Sequence, residues 1–336
     1  MNSAHVWRAA SVLLLICSFR TYGQNSDQKP VTIITFDIPG ANSIFPQGLN
    51  NDGVITGYYL DNVGSGTHGF VREEHGSLKT FDVPGATIQT VPIAINSEGV
   101  VAGNYCDDEI TCHGFLRTPD GGITTFDVPG ALYTFPIGLN DTGLVTGNYG
   151  DNLAFHSFVR TRNGVFTYFD PAMIQNLPGI INDAGTITGY FFEVSGQARS
   201  FVRNPNGTVT IFDAPDLCTA SNGTFATGIN SAGVIVGGFC GHGFLRSPNG
   251  AFSTFDIPGA DGTDPSAINS AGTTTGAYFA GNKILGFVRS RNGAVTTFLP
   301  PGATSVNPTA ISAEGEVTGF YLDANSLIHG FLLKTP

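Results

Sequence analysis

The chain has 336 residues, 41% of them hydrophobic and only 12% charged, with 45 glycines and 26 phenylalanines against four lysines. Its formal charge of −11 excludes nucleic acid and anionic membrane surfaces as partners, and its apolar content excludes a disordered chain. What remains is a glycine-punctuated β protein with an aromatic core, long enough to bury a large interior.

At the N-terminus, Arg8 precedes an apolar stretch from Ala9 to Cys17 that is too short to span a bilayer, and the polar "SFRTYG" follows. Residues 1–23 are expected to form a signal peptide cleaved near Gly23, and 24–30 a short linker. Ile16 stands where a small residue would precede a lipidated cysteine, which argues against a lipid anchor. Cleavage removes Arg8 and Arg20 and no acid, moving the charge from −11 to −13, and it removes Trp7, the single tryptophan. A secreted, periplasmic or cell-surface monomer with no membrane span is expected.

From residue 31 to 336 the chain repeats itself. "ITFDIPGA" at 34–41 returns as "KTFDVPGA" at 79–86 and "STFDIPGA" at 253–260. The phenylalanine of this motif falls at Phe36, Phe81, Phe126, Phe169, Phe212, Phe255 and Phe298, spaced by 45, 45 and then four times 43 residues. Seven units leave no room for a second domain, and each holds four short strand-like runs between turn signals.

The first run of a unit ends in an aliphatic residue and Asn50, Asn96, Asn140, Asn182, Asn230, Asn269 or Ser312, followed by a turn closed by glycine. Four residues earlier lie Pro46, Pro92, Pro136, Pro178, Pro265 and Pro308, with Ala226 the exception. Proline cannot donate to a ladder, so this run is expected at a sheet edge. Small residues two before the asparagine suit sheets that converge on an axis. The second run centres on Gly57, Gly103, Gly147, Gly189, Gly237, Gly276 or Gly319, and the third is "HGFVR" or a relative. Asn163-Gly164, Asn206-Gly207, Asn249-Gly250 and Asn292-Gly293 then predict two-residue turns to the fourth run. Those turns set Phe158 opposite Phe169, Phe201 opposite Phe212, Phe244 opposite Phe255 and Phe287 opposite Phe298.

The last unit stops after its third run, "HGFLL", while the chain opens with an orphan fourth run, "VTIITFD". Pairing the two closes a ring, so the expected fold is an all-β, seven-bladed β-propeller of four-stranded antiparallel blades. The N-terminal strand would complete the last blade.

"INSAGVIVGGF…HGFLRSPNG" resembles the bacterial extracellular repeat family known for its His-Ala-Phe motif, with glycine here in place of alanine and arginine where tryptophan is common. The likeness covers nearly the whole mature chain and implies the fold and export, not an activity.

In a propeller, the links from strand 2 to 3 and from strand 4 to the next strand 1 share one face. The motif aspartates (Asp37, Asp82, Asp127, Asp170, Asp213, Asp256), a second acid (Asp61, Asp107, Asp151, Glu193, Asp323) and the motif histidines (His68, His113, His156, His242, His329) belong there. Carboxylates beside imidazoles suit metal binding or proton transfer. A catalytic group is needed once, however, and these recur in unit after unit, so they read as structural hydrogen-bonding groups and no metal or cofactor is expected. Six arginines, Arg72, Arg117, Arg160, Arg203, Arg246 and Arg289, share a strand face with the motif phenylalanine and are expected between blades, stems buried. Cys106–Cys112 and Cys218–Cys240 are the expected disulfides, both pairs falling on the linked face.

Specific binding is expected where the repeat breaks on that face. The residue before each strand-1 proline varies, from Phe45, Val91, Phe135, Leu177 and Phe225 to Asp264 and Asn307, and Tyr133, Gln175 and Asp261 vary beside them. In the fourth and fifth units Arg199 replaces the histidine and "DAPDLCTASNGTF" lengthens a link, so Glu193, Arg199 and Asp216 form a candidate polar cluster. These ten of the positions named (Phe45, Tyr133, Phe135, Gln175, Glu193, Arg199, Asp216, Asp261, Asp264, Asn307) make up the candidate ligand site. The leading reading is a module that binds an extracellular carbohydrate, peptide or protein, with tyrosine doing any stacking once tryptophan is gone. A structural cell-surface or biofilm component is the alternative. A polysaccharide lyase or hydrolase is a third, although no nucleophile motif supports one.

Overall fold

In the computed structural model, residues 16–18, 31–62, 66–108, 111–150, 154–171, 176–215 and 223–335 are described, and they are all-β, with no helix among them. The strands group into four-stranded antiparallel units in chain order. Unit I takes Ala41–Leu49, Ile55–Asp61, Thr67–Arg72 and Leu78–Phe81. The first strands of units II to VI are Gln89–Ile95, Tyr133–Leu139, Asn176–Ile181, Thr224–Ile229 and Gly262–Ile268. Unit VII takes Ala303–Ile311, Val317–Asp323 and Ile328–Lys334, and its outer strand is Thr32–Phe36 from the other end of the chain, in register from Thr32↔Lys334 to Phe36↔Gly330. Ile16–Ser18 runs antiparallel to Thr32–Phe36 on that strand's other side.

Each first strand pairs antiparallel only with the second of its own unit, the edge position that its proline requires. A register shift follows that proline, as between Pro46 and Gly48 or Pro136 and Gly138. Ala226, the one missing proline, has a reason in the neighbouring unit: its N–H donates to Ser200 Oγ at 2.9 Å, a bond that proline cannot make.

The asparagine that ends each first strand joins one unit to the next. Asn96 Oδ1 accepts Val100 N–H at 2.9 Å within its own turn, where Gly99 is left-handed (φ +73°). Its Nδ2 reaches across to Asn140 O at 3.4 Å. The same donation runs from Asn50 to Asn96, Asn140 to Asn182, Asn182 to Asn230, Asn230 to Asn269 and Asn269 to Ser312, at 2.9 to 3.3 Å. Serine is too short to repeat this reach, and units VII and I are joined instead by Thr309 Oγ1 to Pro46 O at 3.0 Å and Ala313 N to Asn51 Oδ1 at 2.9 Å.

The hairpin between strands 3 and 4 differs from its sequence-based expectation by one residue. Thr161 N donates to Val165 O and Gly164 N to Thr161 O, both at 2.9 Å, and Gly164 (φ +85°) is left-handed whereas Asn163 is not. The connection is therefore a type I turn with a glycine bulge, which needs one left-handed residue and not the two of a type I′ turn. Phe169, Phe212, Phe255 and Phe298 consequently face Ser157, Ser200, Gly243 and Gly286, not the expected phenylalanines. This gives the small motif residue its purpose: a Cβ on Gly243 would stand 2.6 Å from the Phe255 ring, which lies across it. The aromatic pairing runs between units instead, edge to face, as in Phe212–Phe244 at 6.4 Å and Phe298–Phe331 at 5.6 Å. The strand-3 phenylalanines Phe70, Phe115, Phe158, Phe201, Phe244, Phe287 and Phe331 are fully buried, one in each unit.

The six arginines lie in these same interfaces. The guanidinium of Arg72 sits 5.0 Å from the Phe36 ring centre, and Arg160, Arg246 and Arg289 lie 4.4 to 4.5 Å from Phe126, Phe212 and Phe255. Burial lowers the pKa of Arg72 although Glu316 opposes it, and its Nε has no partner among the described residues. Stem packing and ring contact thus carry the stabilisation, and desolvating the charge works against them. Arg72→Met is expected to cost less than about 1 kcal/mol, and Arg72→Ala about 3 kcal/mol through the cavity it leaves. Denaturant midpoints of the two variants measure the difference, and equal large losses would show that the charge itself is needed.

Candidate functional site

The ends of strands 2, 3 and 4 bring histidines and acids together, and they bond to one another. His68 Nδ1 lies 2.9 Å from Asp82, His113 2.9 Å from Asp127, His156 2.8 Å from Asp170, His242 2.8 Å from Asp256 and His329 2.7 Å from Asp37. On the other side of the ring, His68, His113 and His329 Nε2 approach Asp61, Asp107 and Asp323 at 3.6, 3.3 and 3.5 Å. A tyrosine lies against the imidazole, Tyr105 on His113 at 4.9 Å and Tyr321 on His329 at 5.0 Å. Among the described residues no group of three or more histidines, cysteines and acids is arranged to hold a metal.

Burial disfavours the imidazolium of His113, but its hydrogen bonds and charge interactions with Asp127 and Asp107 outweigh that, and the pKa stands above the usual histidine value. A pKa raised on folding means stability that is fully present below the unfolded value near 6.5 and lost as pH rises through the folded value. The Tm difference between wild type and His113→Gln is expected to be widest at roughly pH 5 to 6 and to narrow towards pH 8. A difference independent of pH would show that the neutral ring supplies the stabilisation.

Arg199 occupies the histidine position of unit IV. Its Nη2 and Nε meet Asp213 at 2.7 and 3.0 Å, and its Nη1 meets Glu193 at 3.3 Å. Its hydrogen bonds to the Asp213 carboxylate raise its pKa further. Glu193 and Arg199 are thus brought together, but as the permanently charged form of the repeated clamp, with Asp213 as its motif aspartate and Glu193 as its second acid. Asp216 and Gln175 lie outside the described residues.

The variable strand-1 residues sit in cross-strand pairs with strand 2: Phe45↔Tyr58, Val91↔Asn104, Phe135↔Asn148, Leu177↔Tyr190, Phe225↔Gly238, Asp264↔Ala277 and Asn307↔Phe320. The Phe45 ring stacks on Tyr58 at 4.9 Å and meets the edge of Phe320 at 5.2 Å. Tyr133 lies parallel to Phe135 and Phe155, 5.8 Å from each, over Gly150, where any side chain would strike its ring. Asn148 is buried, and its Oδ1 has no hydrogen-bond partner among the described residues.

In units VI and VII the strand-1 residue becomes polar. Asp264 and Asn307 together line a cavity of about 300 Å³ with Ala277, Phe279, Ile284 and Phe320. Gly238 of the neighbouring unit faces Asp264, where a Cβ would make only an ordinary contact, 3.6 Å from the carboxylate. Asp264 remains accessible to water, yet the concavity desolvates it and raises its pKa. Its charge adds to the effect of burial in raising Tyr190. Asp261 does not join this group: its Oδ2 accepts Gly281 N–H at 2.7 Å and holds the turn between strands 2 and 3.

The strand-2 partners Tyr58, Asn104, Asn148, Tyr190, Gly238, Ala277 and Phe320 escaped the sequence reading. Their signal was present, because these residues follow the invariant strand-2 glycine and vary as the strand-1 set does. Cys106 and Cys112 are joined, with Cα atoms 4.1 Å apart. Cys240 is also disulfide-bonded, whereas Cys218, its expected partner, lies outside the described residues.

No protein-family model and no curated protein sequence matches the chain. Among solved structures it is similar to a streptogramin B lyase, at 14% identity over 90% of this chain and 97% of that one, with a TM-score of 0.62. An inactive variant of virginiamycin B lyase from Staphylococcus aureus, solved with quinupristin, aligns at 14% identity over 90% and 99% of the two chains, again with a TM-score of 0.62. A prolyl endopeptidase aligns at 11% identity over 88% of this chain and half of its own, with a TM-score of 0.57. At these identities the likeness concerns architecture alone, and that architecture is the β-propeller.

Proposed function

We propose that the chain is an exported, seven-bladed propeller, closed where Thr32–Phe36 completes the last blade, and that it is a binding module whose mouth takes an extracellular carbohydrate. The supporting observation is the division of that mouth. Phe45 and Phe135 and the hydrogen-bonding pair Asp264 and Asn307 occupy equivalent strand-1 positions in different units, Tyr58 and Tyr133 stack on the two phenylalanines, and Phe320 links Phe45 to the cavity of that pair. A sugar ring has this same division, with a C–H face for stacking and vicinal hydroxyls for a carboxylate and an amide. A short peptide or a protein loop would use the mouth less fully, since the carboxylate prefers a dense set of donors. The disulfides and the leader-like N-terminus are consistent with an extracellular or periplasmic setting.

The test is thermal unfolding of the mature protein against neutral oligosaccharides and peptides. A ligand at a hundred times its Kd adds about 2.7 kcal/mol, a Tm rise of about 5 °C at this size. Asp264→Ala and Phe135→Ala should each abolish the rise and leave the unliganded Tm nearly unchanged. Because burial raises the Asp264 pKa, affinity should fall on acidification at a higher pH than an ordinary aspartate would give. A rise that both variants retain would place binding elsewhere, and no rise with any sugar or peptide would sink the reading.

A further inference from the structure

In every first strand the residues between the proline position and the terminal asparagine face inward, and together those of all seven units border one central chamber of about 330 Å³. The residue immediately before the asparagine is aliphatic throughout, as at Leu49 and Ile95. Two before it, six units have glycine or alanine, whereas unit IV has Ile180. Three before it, units II and III have Ile93 and Ile137, against Gln47, Thr227, Ser266 and Thr309 in units I, V, VI and VII. Units II to IV therefore give the chamber an apolar side. Ile180 on this wall is 37% exposed, so apolar surface is left for something else to cover.

The seven aliphatic residues before the asparagines also border a second cavity, a cup of about 260 Å³ lined otherwise by the asparagines and the residues that follow them. Chamber and cup thus adjoin across one aliphatic ring. In the cup, the residue after the asparagine has a structural task that needs no charge: Asn51 Oδ1 accepts Ala313 N–H at 2.9 Å across the junction of units VII and I. Asp141 and Asp183 do the same in units III and IV, accepting Ser97 N–H at 2.7 Å and Asp141 N–H at 3.0 Å. Their charge is additional to that task, and both side chains are exposed in two of the three units that carry the apolar wall. No lysine, arginine or histidine lines chamber or cup. We propose that this passage is a binding site for an aliphatic monoamine, with the hydrocarbon chain in the chamber and the ammonium group in the cup at Asp141 and Asp183. Burial of the chain supplies affinity, and the two carboxylates select a cation and reject an anion of the same length. The chamber has the volume of a small-ligand pocket. It is distinct from the candidate carbohydrate site, whose strand-1 residues precede the proline position, and neither reading depends on the other.

Calorimetric titration of the mature protein with octylammonium, octanol and octanoate, each in monomeric solution, tests this. Saturable binding of octylammonium at one site per chain is expected, with octanol weaker and octanoate weakest. Ile180→Trp fills the chamber and Ile137→Asn removes part of its apolar wall. Each should weaken octylammonium by about tenfold or more, the loss of about two buried methylenes, with circular dichroism unchanged. The double variant Asp141→Asn, Asp183→Asn keeps an oxygen for each bond between units, as Asn51 does. It should weaken octylammonium several-fold and leave octanol unaffected. No saturable octylammonium binding to the wild type, or wild-type affinity in both chamber variants, would overturn the site. An equal loss of octylammonium and octanol in the double variant, or octanoate bound as tightly as octylammonium, would overturn the assignment of a cation.

Discussion

A chain from which residues 1–36 have been removed is expected to lose cooperative folding, whereas removal of residues 1–30 alone is expected to leave stability unchanged. Thr32–Phe36 supplies the whole outer strand of unit VII; Val31, just before it, and Ile33 and Phe36 on it are 6%, 8% and 2% exposed. Phe36 also packs on Phe70 of unit I at 6.4 Å and under the Arg72 guanidinium, so its loss opens the junction between first and last units as well as one sheet edge. Three buried apolar side chains at about 1.5–3 kcal/mol each, with Phe331 and Leu333 newly exposed, come to about 5–10 kcal/mol. A typical domain has a total stability of about 5–15 kcal/mol, so little would remain. Urea unfolding followed by circular dichroism distinguishes the cases. A truncated chain that kept a single transition within about 1 kcal/mol of wild type would show that the fold does not depend on this strand.

The repeat made much of this fold legible. Phenylalanines 43 to 45 residues apart, a proline at one edge and an orphan strand at each end pointed to units arranged about an axis, because each is a backbone or burial requirement met in the same place every time. Register was less legible. Asn163-Gly164 suits either a two-residue turn or a type I turn with a bulge, and the choice depends on whether Phe169 packs beside Phe158 or across Ser157 against the next unit. That is a tertiary preference which a dipeptide does not contain. The Asn96 to Asn140 donation was hidden for the same reason: the asparagine announces its own turn, and its second bond goes to a unit 44 residues away. Asp264 and Asn307 were found through a break in the pattern, but their small neighbour Ala277, which lines the same cavity, was not, since a missing side chain gives a weak signal.

Gly147→Ala is the point substitution expected to do most damage. The strand-1 register shift after Pro136 turns the Phe135 carbonyl towards strand 2, and a Cβ on Gly147 would collide with that oxygen and lie 2.8 Å from the Phe158 ring. Neither neighbour is free to yield: Phe158 is fully buried, and Phe135 is held between the proline and the Tyr133 stack. Relief requires the first two strands of unit III to separate, at a cost of about 4 kcal/mol or more. Gly130→Ala provides the contrast. Gly130 is left-handed (φ +80°) with nothing within 4 Å of the added methyl, so only the backbone conformation is penalised, by about 1–2 kcal/mol. Equilibrium unfolding of the two variants separates collision from conformational preference, and Gly147→Ala no worse than Gly130→Ala would mean that the strands part easily. The same substitution would displace Phe135 and Asn148 together, so a Gly147→Ala protein that survives at low temperature should have lost its sugar-induced Tm rise. Stability and binding then fail from one cause, because the glycine that lets the inner strand bulge also sets the border of the mouth.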